Sequence, residues 1–356
     1  MGAGARGRNP FASWWPLVLI VALAAVLVAE RFLFPAELEP FTEQREMMDT
    51  LVSITLYGSD QQSVDTAMEA AFARMLEVVA IASIHDLEAE AARLNEAGRL
   101  ADPSPELIEI LEAAVRFFDV SQGTFDVTIE PLLSLWRYDP NAEPQFWELD
   151  PAAQQEAIAE AKRLVGSDRI LIGRTPPTIE LAPGMQINLG GIAKGYVVDQ
   201  GIEALREGGI DHALVDAGGD IAAIGGKPGG GLWEIALRDP GGQADEIVRF
   251  RLRDGAVATS GNYMRYYDPE AQVGHIMDPR TGFSAHVASS ATVIAPSCTE
   301  ADALATAVFV LGPAEGLTVI NGLERVEAMV LGYDDPTVIA RSAGLDRYEV
   351  RKKDGT

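Results

Sequence analysis

The run Gln186-Ile-Asn-Leu-Gly-Gly-Ile-Ala-Lys-Gly-Tyr196 constrains the local fold more than any other stretch of this chain. Its apolar start predicts a short strand, its glycine pair predicts a tight turn, and Lys194 opens a helix that we expect to run to about Leu205. The turn and the helix N-terminus direct backbone N–H groups to one point beside the lysine, which suits a phosphate or pyrophosphate. The glycine spacing fits neither the G-x-G-x-x-G fingerprint nor a P-loop. A strand-to-helix turn that binds nothing is an equal alternative.

Short strands and a few helices account for the rest of the chain. Alternation over Thr50–Tyr57 predicts a half-buried strand, and helical spacing predicts helices over Ser63–Ile84 and Pro105–Val120, with Ser63 and Ser104 as their N-caps. The remaining predicted elements are a loop over Trp136–Asp150, helices over Ala152–Val165, Thr299–Leu311 and Pro313–Gly322, and strands over Ile170–Gly173, Met185–Leu189, His212–Asp216, Trp233–Arg238, Ile247–Leu252, Ser289–Ile294 and Val326–Tyr333. This order indicates an α+β fold with mixed or antiparallel sheets and packed helices, not a regular βαβ array.

The chain is strongly acidic. Its 356 residues include 53 acidic and 28 basic side chains, a formal charge of −25, and no basic stripe. Such a surface repels a polyanionic duplex, so nucleic acid is excluded as the expected partner. An anionic ligand would need a local cation, which points towards a metal ion.

The N-terminal segment reads as a membrane anchor. Phe11–Ala29 is almost wholly apolar; Arg6 and Arg8 precede it, and acidic residues follow it. This length can just span a bilayer, and the arginine bias places the N-terminus in the cytoplasm. Because the small-x-small cleavage sites are poor, we favour an uncleaved transmembrane helix over a signal peptide. We therefore expect an inner-membrane protein whose domain lies on the exported side, in the periplasm.

Two oxygen-bearing side chains lie four residues apart on the predicted helix that begins at Thr299. Asp302 and Thr306 share one face of that helix, and we expect them on its surface. A carboxylate and a hydroxyl fit a hard ion such as Mg²⁺ that also takes phosphate oxygens from a substrate. By spacing alone, a simple helix-dipole role for Asp302 is the stronger interpretation.

A second polar group follows the predicted strand near Val273. His275 at the end of a strand can act as a general base. Asp278, which precedes Pro279, is more typical of a turn than of a catalyst. The other histidines lack the spacing of a zinc site, and Cys298, the only cysteine, reads as a buried residue.

Five motifs occur together in one order from about Phe41 to Tyr333. In that order the chain resembles the FAD:protein FMN transferase (ApbE) family. The motifs are Met48-Asp-Thr50; Gly123-Thr-Phe-Asp-Val-Thr-Ile-Glu-Pro131 with Leu135-Trp136; Asn188-Leu-Gly-Gly-Ile-Ala-Lys-Gly195; Ala258-Thr-Ser-Gly-Asn-Tyr263 with His275-Ile-Met-Asp-Pro-Arg-Thr-Gly282; and Ala301-Asp-Ala-Leu-Ala-Thr306.

The resemblance implies an enzyme that binds FAD with Mg²⁺, transfers FMN to a threonine or serine hydroxyl of a target protein, and releases AMP. It implies that the metal is held by Asp302, Thr306 and the residue at Gly191, and that His275 is the base. It implies FAD contacts at Met48, His85, Thr124, Phe125, Asp126, Asn188, Lys194 and Ile276. The domain would span 37–345, between an N-terminal segment over 1–36 and a frayed, charged tail over 346–356.

Three residues depart from the family pattern. Asn188 stands where an aspartate is usual, His85 where an aromatic residue tends to stack on the flavin, and Asp49 where glycine is common. Two further functions stay open: an FAD pyrophosphatase that gives FMN and AMP, and an FAD-binding protein without turnover. The expected partner of a transferase is an exported acceptor subunit of a membrane redox complex.

Overall fold

The computed structural model describes residues 19–21, 37–239, 242, 245–261, 266–268, 273–335 and 337–350. The strands are β1 (Glu39–Met47), β2 (Thr50–Gly58), β3 (Arg99–Ala101), β4 (Leu171–Arg174), β5 (Pro177–Glu180), β6 (Ala213–Ala217), β7 (Asp220–Ile224), β8 (Trp233–Leu237), β9 (Val248–Leu252), β10 (Gly255–Gly261), β11 (Tyr266–Asp268), β12 (Val273–Gly274), β13 (Met277–Asp278), β14 (Phe283–Ser284), β15 (Ala288–Ala295), β16 (Glu327–Gly332) and β17 (Ile339–Arg341). The helices are α1 (Gln61–Ala82), α2 (Glu90–Ala97), α3 (Pro105–Val120), α4 (Glu130–Trp136), α5 (Pro151–Lys162), α6 (Ala193–Glu207) and α7 (Cys298–Asn321).

An eight-stranded antiparallel sheet forms the centre, in the order β1-β2-β6-β7-β10-β15-β16-β17. The helices α1, α6 and α7 pack together on one face of this sheet. Strand alternation separates two cores: Ala256 and Ala258 of β10 face the helices, whereas Val257 faces the β8–β9 hairpin on the other side. The expected α+β fold with antiparallel sheets is confirmed.

A smaller apolar cluster lies beside the main core. It joins α4 and α5 to β12 and β13, and Trp136 Nε1 donates to the carbonyl oxygen of Gly282 at 2.8 Å. The cluster and this hydrogen bond attach the segment that carries His275 to the packed helices α4 and α5.

Local rules predict several element ends correctly. Ser104 caps α3, as expected, and its Oγ accepts from the N–H of Leu107. The long last helix breaks at Gly312, whose φ is 75°. The N-cap of α1, however, is Asp60 and not Ser63, because the Asp60 carboxylate accepts from the Ser63 N–H and hydroxyl.

The predicted strand Met185–Leu189 is wrong. Its backbone bonds to a side chain and a loop instead of a neighbouring strand: Asn95 of α2 bonds both the N–H and the carbonyl of Ile187, and the Asn188 N–H donates to Val127 O at 2.6 Å. The segment is extended but lies in no sheet. The start of the predicted tail also differs from expectation, since Tyr348 and Val350 exchange hydrogen bonds with β9; residues 351–356 lie outside the described residues.

The predicted membrane helix lies outside the described residues, apart from residues 19–21, which are helical. Within the described part of the chain, α7 is the helix long and apolar enough to cross a membrane. It breaks at Gly312 and packs against β10, β15 and β16, so its apolar composition is that of a core helix.

Candidate functional site at the junction of two helices

The first turn of α6 meets the first turns of α7 at a buried junction. We call the residues Gly191, Lys194, Gly195, Asp302 and Thr306 the α6–α7 junction. The N–H of Gly195 donates to Asp302 Oδ2 at 3.0 Å, so a carboxylate from α7 caps α6, which has no side-chain cap of its own. A Cβ at Gly195 would lie 2.3 Å from the carbonyl oxygen of Cys298, so only glycine permits this approach.

Asp302 is not on the helix surface as expected, because only 5% of it is exposed. Burial and the nearby Asp220 carboxylate raise the pKa of Asp302 to about 8, against the opposing effects of Lys194 and the Gly195 N–H. A bound cation would favour its ionised form. The helix-dipole interpretation concerned the N-terminus of Asp302's own helix, whereas the carboxylate binds the N-terminus of α6.

The three predicted metal ligands converge at this junction. Thr306 lies one turn after Asp302, and a Cβ built on Gly191 would be 3.2 Å from Thr306 Oγ1 and 3.2 Å from the Phe125 ring. Ser260 of β10 adds a second hydroxyl, 3.3 Å from Thr306 Oγ1. Carboxylate, hydroxyl and backbone carbonyl oxygens are ligands that Mg²⁺ accepts, so the donor set fits a hard divalent cation.

Many metal sites are built from several acidic or imidazole side chains, unlike the donor set of the α6–α7 junction. Within the described ranges, no group of three or more His, Cys, Asp or Glu side chains could hold a metal ion. A junction with one carboxylate, hydroxyls and a carbonyl would leave coordination positions for oxygens of a substrate.

Lys194 provides the cation of the junction. Its ammonium pairs with Asp220, the first residue of β7, which is 2% exposed. Burial alone lowers the pKa of Lys194, but the carboxylates of Asp220 and Asp302 outweigh it and raise the pKa. The lysine is therefore charged at neutral pH. Because 36% of its side chain is exposed, its ammonium can contact a phosphate.

The loop before α4 carries three of the predicted flavin contacts. Thr124 and Phe125 are buried, and the Phe125 ring meets Phe117 edge-on at 6.5 Å. Asp126 Oδ1 accepts from Ser167 Oγ at 2.6 Å and from the N–H and hydroxyl of Thr128. Burial raises the pKa of Asp126, and these hydrogen bonds oppose the shift. Asp126 thus holds the loop that presents Phe125 to Gly191.

Asn188 is fixed in one orientation by two neighbours. Its Nδ2 donates to Glu130 Oε2 at 2.7 Å, and its Oδ1 accepts from the Gly190 N–H at 2.9 Å. The second oxygen of Glu130 binds Arg137 and Ser134. A buried acid from α4 therefore supports the glycine pair through an amide.

Met48 and Asp49 form the two-residue turn between β1 and β2. Both have left-handed backbone angles, φ 55° and 57°, which explains why glycine suits position 49. The neighbouring Thr50 packs against the Gly218 backbone, next to the turn that carries Asp220.

The remaining predicted residues lie in three settings. His275 is half-buried between β12 and β13, and Ile276 belongs to the main core. Asp278 accepts from the backbone and guanidinium of Arg280, so it is a turn former as expected. His85 lies exposed after α1, and the contacts of the described residues do not join it to the junction.

Sequence reasoning missed Asp220, Ser260 and Glu130 as members of this site. Asp220 follows a glycine pair, which is a signal for a turn but not for a partner. Ser260 and Glu130 each lie in a motif of the sequence, but no spacing marks either of them as a partner in this site. Their importance comes from contacts over 26, 46 and 58 positions of sequence.

The chain is similar to proteins of one family over most of its length. The ApbE family matches residues 48–330. An FAD:protein FMN transferase of Treponema pallidum is 32% identical over 336 residues, covering 88% of this chain and 90% of the relative. One of Haemophilus influenzae is 30% identical over 307 residues, covering 83% and 87%.

Two solved structures share the fold. The ApbE protein of Thermotoga maritima superposes with a TM-score of 0.77 at 30% identity, covering 88% of this chain and 100% of that one. The flavin transferase ApbE of Vibrio cholerae gives 0.73 at 26% identity with the same coverage. The chain therefore belongs to the ApbE family, whose matched curated members are named FAD:protein FMN transferases.

Proposed function

We propose that this protein transfers FMN from FAD to a threonine or serine hydroxyl of an exported redox protein and releases AMP in a Mg²⁺-dependent reaction. The observation that carries the proposal is the convergence of Gly191, Asp302 and Thr306 beside the Lys194 ammonium. Oxygen ligands for a cation next to a lysine are what a pyrophosphate substrate requires.

In this proposal Asp302, Thr306 and the Gly191 carbonyl would hold the Mg²⁺. When bound, the ion supplies charge neutralisation at the pyrophosphate and at the reacting phosphorus. Lys194 binds phosphate oxygens, and Phe125 contributes an apolar wall beside Gly191.

The transfer replaces one P–O bond with another. The acceptor hydroxyl oxygen attacks the phosphorus on the FMN side, and the bond from that phosphorus to the bridging oxygen breaks. AMP leaves with the bonding electron pair, and His275 accepts the proton of the hydroxyl. His275 stands at the end of β12, on a segment held by Trp136.

We also propose that the N-terminal apolar segment anchors the chain in the inner membrane with residues 37–345 on the exported side. Its support is the arginine bias before Phe11–Ala29. The acceptor would then be a subunit of a membrane redox complex on the same side. Membrane fractionation of the full chain, with protease added from the exported side, tests this arrangement; a protected domain would contradict it.

The full chain in detergent tests the activity with FAD, an exported acceptor domain, and Mg²⁺ or a chelator. AMP without an equal amount of free FMN, together with protein-bound flavin, is the expected result. Equal free FMN and AMP would show a pyrophosphatase, and unchanged bound FAD would show a carrier.

Asp302→Asn is the variant that isolates the metal site. An amide oxygen can still accept from the Gly195 N–H, whereas Asp302→Ala also removes a buried acceptor at a cost of about 1–3 kcal/mol in stability. We expect Asp302→Asn to keep the fold and to lose Mg²⁺-dependent AMP release by at least about 100-fold. Full activity would refute the metal assignment.

A further inference from the structure

Asp220 is a buried carboxylate that the proposed reaction does not use directly. It begins β7, directly after the Gly218–Gly219 turn, and only 3% of its side chain is exposed. Its partner is the ammonium of Lys194, which comes from another element, α6. A buried charge is stable only when it is paired, so the two residues fix each other.

Lys194 lies between two carboxylates but bonds to one of them. Lys194 pairs with Asp220 and directly precedes Gly195, whose N–H donates to Asp302, so both carboxylates lie beside this turn of α6. In the described part of the chain, its ion pair is with Asp220 and not with Asp302. Asp302 instead uses Oδ2 to cap Gly195, so its remaining lone pairs are not taken by the lysine.

We propose that Asp220 is a positioning residue that holds the Lys194 ammonium away from Asp302 and so keeps the Asp302 carboxylate available to a divalent cation. This inference rests on the proposed function, which assigns the cation to Asp302 and Thr306. Lys194 remains close enough to meet the phosphates of the substrate, because one ammonium has three N–H donors and Asp220 takes one of them.

The expected size of the effect on cation binding follows from competition between Lys194 and the cation for the Asp302 carboxylate. Without Asp220, Lys194 can turn to Asp302, which already bonds the next residue of α6, Gly195, and a cation must then displace the lysine. If the lysine occupies Asp302 for about nine-tenths of the time, the apparent affinity for the cation falls about tenfold.

The test is cation binding without FAD, measured as free Mn²⁺ by electron paramagnetic resonance on the full chain. The variants are Asp220→Asn, Lys194→Met, the two combined, and Asp216→Asn as the matched control. Asp216 is a carboxylate of the same hairpin that accepts from the Gly219 N–H, so its amide variant removes one nearby charge without touching Lys194. Near-ultraviolet circular dichroism checks the fold of each.

We expect Asp220→Asn to weaken Mn²⁺ binding about tenfold and Asp216→Asn to change it less than about twofold. In the Lys194→Met background, Asp220→Asn should cost no more than Asp216→Asn costs in the wild type. Equal losses in Asp220→Asn and Asp216→Asn would overturn the inference. A tenfold loss that persists without Lys194 would also overturn it, because Asp220 would then act through its own charge.

Nitrogen-detected spectroscopy of the lysine ammonium groups gives a second test that does not depend on how well Asp220→Asn folds. The chain has five lysines, so the Lys194 resonance is identified by its loss in Lys194→Met. We expect it to be protected from solvent exchange and to remain so after Mg²⁺ is added. Loss of protection on adding Mg²⁺ would show that the lysine had been bound to Asp302. FAD turnover by the same wild-type preparation separates failure of the proposed function from failure of this inference.

Discussion

Asn188 departs from the family pattern, and its amide group has two specific partners in this chain. Its amide bridges the buried Glu130 carboxylate and the backbone of the glycine pair, so an aspartate at 188 would keep the acceptor for the Gly190 N–H but place a second carboxylate against Glu130. We expect N188D to lower the free energy of unfolding by about 1–3 kcal/mol at pH 8, because two carboxylates would then face each other. Urea unfolding, followed by tryptophan fluorescence, measures the loss.

The matched control moves the acidic side chain from position 130 to position 188 and the amide from 188 to 130. The double variant E130Q/N188D restores one acid and one amide in contact, and we expect it to recover most of the stability. The deficit of N188D should also shrink at pH 5, where the facing carboxyl groups can share a proton. A double variant as unstable as N188D, or a deficit independent of pH, would show that the amide acts in some other way.

His275 is the residue whose assigned role is kinetic. If it accepts the hydroxyl proton, His275→Ala should reduce the single-turnover rate of flavin transfer by about 10²–10⁴-fold. FAD affinity, read from flavin fluorescence, should change less than about threefold, because the residue acts on the acceptor and not on the bound nucleotide. Affinity that falls as far as the rate would make His275 a binding residue.

At the scale of elements, the β1–β2 hairpin carries backbone strain in its turn. Met48 and Asp49 both have positive φ, and aspartate tolerates this conformation less well than glycine. We expect Asp49→Gly to raise the free energy of unfolding by about 0.5 kcal/mol and Asp49→Ala to lower it by about 1 kcal/mol. Thermal unfolding of both variants is the measurement. Shifts of the same sign would show that the charge of Asp49, not the turn, decides stability.

The crossing of α6 and α7 is set by a second aspartate. Asp199 of α6 accepts from the N–H groups of Cys298 and Thr299 and from the Thr299 hydroxyl, all within 2.8 Å. It thus fixes the N-terminus of α7 one turn before Asp302. The two helices exchange caps, since α7 caps α6 through Asp302 and α6 holds α7 through Asp199.

At the scale of the whole molecule, Cys298 reports on unfolding. Burial, and then the carboxylates of Asp199, Asp220 and Asp302, raise the pKa of its thiol well above the ordinary range. We expect a thiol reagent to modify the native protein at least about 100-fold more slowly than a free thiol at pH 8, because only the exposed thiolate reacts. As the only cysteine, it gives one labelling rate.

The raised pKa of the Cys298 thiol also makes the free energy of unfolding depend on pH. The stabilising contribution is complete below the thiol pKa of the unfolded chain, about 8.5, and declines above it, since only the unfolded state then releases the proton. The urea concentration at the unfolding midpoint should therefore decrease as the pH is raised from 8 to 9.5. Labelling of Cys298 should follow the same urea unfolding curve. Rapid labelling of the native protein would contradict the burial of the thiol.

The elements that the sequence predicts have local causes, whereas β1, β7 and β10 of the central sheet were not predicted. Ser104 caps α3 by a rule of adjacent residues, alternation marks β2, and Gly312 ends a helix because only glycine takes its backbone angles freely. The exception shows the limit: Met185–Leu189 has the composition of a strand, but Asn95 and Val127 take its backbone bonds.

The α+β class, the bounds of about half of the elements and, through the order of its motifs, the family follow from the sequence. The spacing of Asp302 and Thr306 placed them one helical turn apart before any fold was known. Tertiary structure alone decided that Asp302 is buried and caps another helix, that Gly191 lies against Thr306, and that Lys194 pairs with Asp220. Helices and turns follow from neighbours in the chain, whereas a charge's partner and its burial depend on which distant elements the core brings together.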